Sequence, residues 1–163
     1  MGRRKDISFA GIDSPCRLLL RSSNRTKSRI SDGLHYDGAP RSMYSAEVLD
    51  HFEHPRNAGA IADADASARI ENPACGDILE LTLKVDGDRI AEICFRARGC
   101  VAAMACGSAL TELVRGKSMD AAQKLTREEL LRTVGGLPQA SSHASHLAMD
   151  ALEAVLKQLA QKK

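Results

Sequence analysis

Aromatic residues make up only 3% of this 163-residue chain and tryptophan is absent. A core must therefore come from Leu, Ile, Val, Ala and Met, and a platform of aromatic faces for stacking nucleobases is disfavoured. A strong charge imbalance is missing too. The formal net charge of +2 is too small to draw in nucleic acid without a concentrated basic patch, and the basic residues cluster only at the N-terminus. No apolar run approaches the roughly 20 residues of a membrane span, and Leu18-Leu19-Leu20 is too short for a signal-peptide core. These absences predict a soluble, cytoplasmic protein with no nucleic-acid and no membrane partner.

What is present fits one ordinary domain: 44% hydrophobic and 27% charged residues. Five cysteines, at positions 16, 75, 94, 100 and 106, make an odd number in a chain without an export signal. Reduced thiols are the expectation, for thiolate chemistry, metal binding or plain packing. Residues 1–42 are rich in Arg, Ser, Gly and Asp and show no sustained period of two or of 3.6, which predicts a disordered basic extension. Arg3, Arg4 and Lys5 suit a transit peptide, but Asp6, Asp13, Asp32 and Asp37 oppose one. An upstream start codon, with Met43 as the natural first residue, explains the segment better. The domain is then 43–163.

From Ser45 a short helix is predicted, with Val48, Leu49 and Phe52 on one face and His54-Pro55 at its end. Ala68 and Ile70 alternate with Arg69 and Glu71 as a half-buried strand. Leu79, Leu81, Leu83 and Val85 alternate with Glu80, Thr82 and Lys84, Asp86-Gly87 supplies a turn, and Ala91, Ile93, Phe95 and Ala97 alternate with Glu92, Cys94, Arg96 and Arg98. Cys94 falls with the polar set, either facing solvent or covered by another segment. Helices follow: Val101–Arg115 closed by Gly116, a short piece after Ser118, one opened by a Thr126/Glu129 capping box and stopped at Gly135-Gly136, and a last one from Ser141 or Ser142. Its stripe of Ala148, Ala151, Leu152, Val155, Leu156 and Leu159 can cover one face of the sheet. The predicted fold class is α+β: a three-stranded antiparallel sheet with helices packed on one face and a metal site at one exposed end.

Four residues stand at the ends of these elements. Cys75-Gly76-Asp77 precedes the first hairpin strand, where Gly76 permits a tight turn; alone, such a triplet is more often a turn than a site. Cys100 follows the second hairpin strand and opens a helix, which predicts a lowered thiol pKa from the free N–H groups there. His143 falls in the first turn of the last helix, as a metal ligand or as a neutral, non-ligating residue. Together, Cys75, Asp77, Cys100 and His143 make a complete set of four ligands. Cys106, about 120° around the helix from Cys100 and roughly 9 Å further along, reads as core with Ala103, Leu110 and Leu113. His146 reads as a surface residue.

The segments Met43-Tyr44-Ser45, Asp50-His51-Phe52-Glu53-His54-Pro55-Arg56-Asn57, Pro73-Ala74-Cys75-Gly76-Asp77, Arg98-Gly99-Cys100, Gly116-Lys117-Ser118 and His143 resemble the IscU/NifU-type iron–sulfur cluster assembly scaffold family, over essentially all of 43–163. The resemblance implies a non-enzymatic scaffold that binds iron and a transient [2Fe–2S] cluster at Cys75, Asp77, Cys100 and His143. It also implies sulfur delivered by a cysteine desulfurase and a cluster passed to iron–sulfur acceptor proteins. Zinc is implied as an alternative occupant of the same ligands.

Two departures accompany the resemblance. The family pattern has a third cysteine directly after the histidine, where this chain has Ala144; sulfur acceptance would then fall on Cys100 or Cys75. Leu137-Pro138-Gln139-Ala140-Ser141 keeps only the Leu-Pro of a segment recognised by a chaperone, so chaperone handover is less secure than ligation. Two other functions fit the same residues: a zinc-bound sulfur acceptor working with a desulfurase as a sulfurtransferase, and a non-catalytic iron-binding module that kept the fold without the third cysteine.

Overall fold

Alternating leucines build the centre of the molecule. In the computed structural model, which describes residues 43–162, strands β1 (Ala66–Glu71), β2 (Ile78–Asp86) and β3 (Arg89–Arg98) form one antiparallel sheet in the order β1-β2-β3. Leu79, Leu81 and Leu83 pair with Ala97, Phe95 and Ile93, and side chains of one parity share a face. That face is buried under helices, as expected. The basic extension at 1–42 and Cys16 lie outside the described residues.

One detail of the alternation is corrected. The register shifts between Lys84 and Val85, with Lys84 opposite Glu92 and Val85 opposite Ile90. The extra residue on β3 is Ala91, which is exposed, while Ile90 is fully buried. A bulge of this kind re-aims every side chain before it, and a strict period of two cannot reveal it.

The opposite face carries Arg69, Glu80, Lys84 and Arg96, yet Thr82 and Cys94 on it are buried. The segment after the first helix folds back over them. Ile61 packs on Cys94, and its N–H donates to Thr82 Oγ1 at 3.0 Å. Cys94 is therefore covered rather than solvent-facing.

Helix α1 is Ala46–Glu53, α2 Val101–Val114, α3 Met119–Gln123, α4 Arg127–Thr133 and α5 His143–Gln161. Thr126 and Glu129 close the expected capping box on α4, and Gly116, Gly135 and Gly136 take the positive φ values that end their helices. Helix α2 is rich in small residues, with Ala102, Ala103, Ala105, Gly107 and Ala109 all buried, so neighbouring elements approach it closely. A Cβ at Gly107 would lie 2.6 Å from the Phe95 ring. Helix α5 lays the predicted stripe on β1 and β2. Among the described residues no helix is long and apolar enough to cross a membrane.

Directions along these elements decide where the site falls. Strand β3 ends at Arg98 and α2 begins at Val101, while α5 starts at His143 and finishes beside the far end of β1, with Gln158 Oε1 accepting from the Ser67 N–H at 2.7 Å and Lys162 Nζ donating to Asp65 O at 2.9 Å. The starts of α2 and α5 thus share the sheet end where β1 passes into β2.

Helix α1 differs from expectation. Val48 and His51 are its buried residues, and Phe52 is 40% exposed. A polar network draws His51 inward. Ser108 Oγ accepts the Arg56 N–H at 2.8 Å and shares a hydrogen bond with His51 Nδ1 at 2.9 Å. On the other side of the ring, Nε2 lies 3.8 Å from Glu112 Oε2.

Burial pushes the pKa of His51 down, with the Arg56 charge adding to it and Glu112 opposing. The unfolded chain therefore takes up a proton at a pH where the folded protein resists one, and stability present above the unfolded value of 6.5 is lost as pH falls below it. Urea midpoints should drop between about pH 7.5 and about pH 5.5, and His51→Gln should show a shallower drop than the parent.

Candidate metal centre

Glu71 pairs with Ile78 and Ile78 with Arg98, so the next residues, Asn72, Asp77 and Gly99, cluster just past the last rung of the sheet. Gly76 has φ +72°, a left-handed conformation that glycine takes without Cβ strain. The turn leaves Cys75 exposed and sends Asp77 inward, where the residue is only 5% accessible. Gly99 makes room for it. A Cβ at Gly99 would collide with the Asp77 carboxylate.

Asp77 Oδ2 is buried and has no hydrogen-bond partner. Burying a carboxylate oxygen without a donor is costly, and native structures rarely do so without a ligand in view. His143 Nε2 stands 3.6 Å from it, too long for a hydrogen bond. Ligand atoms of Cys75, Asp77 and His143 all lie within 4.8 Å of one another. Around a tetrahedral zinc, with bonds of ~2.0–2.3 Å, ligand atoms stand about 3.3–3.8 Å apart. The three side chains need draw together by only about an ångström.

Cys100 is placed differently. It is the N-cap of α2 and half-buried, and its thiol faces the N–H groups of Ala102 and Ala103 on one side and the Asp77 carboxylate on the other. The three-residue group does not include it. The expectation of a lowered pKa is overturned: burial raises it, the hydrogen bond and the charge of Asp77 raise it further, and the N–H groups of Ala103 and Ala102 offset only part. Sequence position showed the helix start and could not show the carboxylate facing it.

The remaining candidates fall as the simpler readings had them. Cys106 is fully buried in the core, its thiol pushed up to about 12 by burial. His146 is exposed and accepts on Nε2 from Arg127 Nη1 at 2.9 Å. Ala144, at the place of the third cysteine in the resemblance, is 1% exposed and belongs to the core cluster. The role of Gly99 escaped the sequence, where only its place before Cys100 marked it.

Gly99→Ala should push the Asp77 carboxylate out of its seat. Its affinity for Co(II), measured by competition with a chromophoric chelator, is expected to fall at least about ten-fold, the scale on which displaced ligand supports act.

Residues 43–163 match the family model described as the NifU-like N terminal domain. The chain is 46% identical over 110 residues to iron-sulfur cluster assembly scaffold protein IscU 1 of Archaeoglobus fulgidus, covering 68% of this chain and 72% of that one. It is 40% identical over 116 residues to scaffold protein IscU of Aquifex aeolicus, covering 70% and 74%. The crystal structure of a NifU-like N-terminal domain from Brucella abortus shares the fold, with a TM-score of 0.61 at 20% identity over 74% of this chain and 96% of that one. On the family match and these identities, the chain belongs to the NifU-like N-terminal domain family.

Proposed function

We propose that this protein is an iron–sulfur cluster assembly scaffold, which holds iron and a transient [2Fe–2S] cluster as cargo on Cys75, Asp77, Cys100 and His143 and yields it to acceptor proteins. The observation that carries the proposal is the buried, unpartnered Asp77 Oδ2 facing a thiol and an imidazole within 4.8 Å. Family membership and the printed function of the Archaeoglobus and Aquifex relatives support it.

Each side chain has a distinct task. Cys75 stands exposed on the turn and is the thiol that a cysteine desulfurase can reach, so it is the better of the two sulfur acceptors left by Ala144. Asp77 is anchored from below and offers a hard oxygen that grips cluster iron less firmly than thiolate would, which suits release. His143 supplies a neutral nitrogen ligand, and Cys100 closes the set once its proton leaves, since the thiolate is the ligating form. Cys75 and Cys100 are both free thiols, as ligation and sulfur acceptance require.

A second reading rests on the separate placement of Cys100. Cys75, Asp77 and His143 alone would make a three-ligand zinc site with an open fourth position, beside a thiol able to take part in sulfur transfer from a desulfurase.

Metal analysis with visible absorption, on the protein as isolated and after anaerobic addition of iron, a desulfurase and cysteine, tests both. The scaffold function predicts charge-transfer bands with about two iron and two sulfide per cluster, lost in Cys75→Ser and in Cys100→Ser. Normal cluster uptake in both variants would overturn it. Stoichiometric zinc, no cluster and a stimulated desulfurase would establish the sulfur-acceptor function instead.

A further inference from the structure

Six residues, 72–77, join Glu71 and Ile78, the last pair of the β1–β2 hairpin, and Ala74, Cys75 and Gly76 among them are all exposed. A turn so short has no core of its own to hold it. Three hydrogen bonds do so, and all three end on Asn72. The Asn72 N–H donates to Asp77 O at 2.8 Å, the Gly76 N–H donates to Asn72 O at 2.7 Å, and the Ala74 N–H donates to the side-chain Oδ1 of Asn72 at 2.9 Å.

The two backbone bonds would form with any residue at 72. The third belongs to the side chain. Asn accepts from the N–H two residues on, an Asx-turn, and Pro73 between them has φ already set near −65°. With the amides of Ala74 and Gly76 both tied to Asn72, the backbone on either side of Cys75 is fixed although its side chain lies in solvent. The Asp77 backbone is tied to the same residue.

We propose that Asn72 is a positioning residue of the metal centre: its side-chain oxygen sets the turn so that the Cys75 sulfur faces the Asp77 carboxylate and the His143 ring. The proposal rests on the metal-binding function given above. Asn72 does not ligate. It lowers the cost of ordering the exposed thiol at the moment a metal is bound, which is how groups behind a ligand commonly act.

The test uses the full chain as Asn72→Ala and Asn72→Asp, the second keeping an oxygen where Oδ1 stands. Two quantities are read: Co(II) affinity with the sulfur-to-cobalt charge-transfer band, and hydrogen exchange of the Ala74 amide in the metal-free protein. Asn72→Ala should lose about ten-fold or more in Co(II) affinity, exchange the Ala74 amide faster, and keep its urea midpoint near that of the parent. Asn72→Asp should recover both. Affinity in Asn72→Ala within about two-fold of the parent, or no recovery in Asn72→Asp, would overturn the proposal.

If Asn72→Ala does not fold, Asn72→Ser, whose hydroxyl accepts the same bond more weakly, should show an intermediate affinity, and parent-like affinity there would count against the role. If the parent itself takes up no Co(II), the metal-binding function fails. The hold of Asn72 on the turn is then judged by the Ala74 amide alone: unchanged protection in Asn72→Ala would refute it and faster exchange would uphold it.

Discussion

A carboxylate is buried at the end of the sheet with one oxygen unpaired, and much of the surrounding structure follows from keeping it there. Asp77 is 5% exposed and its Oδ2 has no hydrogen-bond partner. Burying a carboxylate oxygen without a donor is unfavourable, and here the seat is enforced by covalent geometry and packing. The hairpin supplies it. Asp77 adjoins the last paired rung of β2, Gly99 across from it carries no Cβ, and the turn before it is closed through Asn72.

The candidate ligands come from three separate places in the chain because three element ends coincide. Helix α2 can lie deep against the sheet because its buried residues from Ala102 to Ala109 are all alanine, cysteine, glycine or serine, and this depth is what puts the Cys100 thiol against Asp77. Helix α5 reaches the same end because its apolar stripe spans β1 and β2, with its far end tied to Ser67 and Asp65. Shifting either helix by a turn would move a ligand by about 5 Å, so core packing and site geometry are one constraint.

The network of His51, Ser108, Arg56 and Thr111 performs a different service. Asn57 and Gly59 add backbone bonds to the outer edge of β3 at Phe95, and Asn57 Nδ2 donates to Thr111 Oγ1 at 3.2 Å. The loop from α1 is thereby latched to both the sheet edge and α2. It shields an edge strand that would otherwise be open to pairing.

Alternating leucines, glycine stops and capping residues let the sequence determine the three strands, the helices from 101 onward and the capping box, because these depend on local chemistry and a regular period. The placement of Cys75, Asp77, Cys100 and His143 at element boundaries was legible for the same reason, since local signals mark each boundary; which of them cluster was not, and Cys100 lies outside the group of Cys75, Asp77 and His143. Contacts between distant segments were not legible. The bulge that turns Ile90 inward and Ala91 outward, the covering of Cys94 by Ile61, and the inward turn of His51 in place of Phe52 each depend on a residue tens of positions away or on a one-residue register shift. So does the pKa of Cys100. The helix start at that residue is written in the sequence, but the raised value comes from burial and from Asp77, and only folding brings that carboxylate to the thiol.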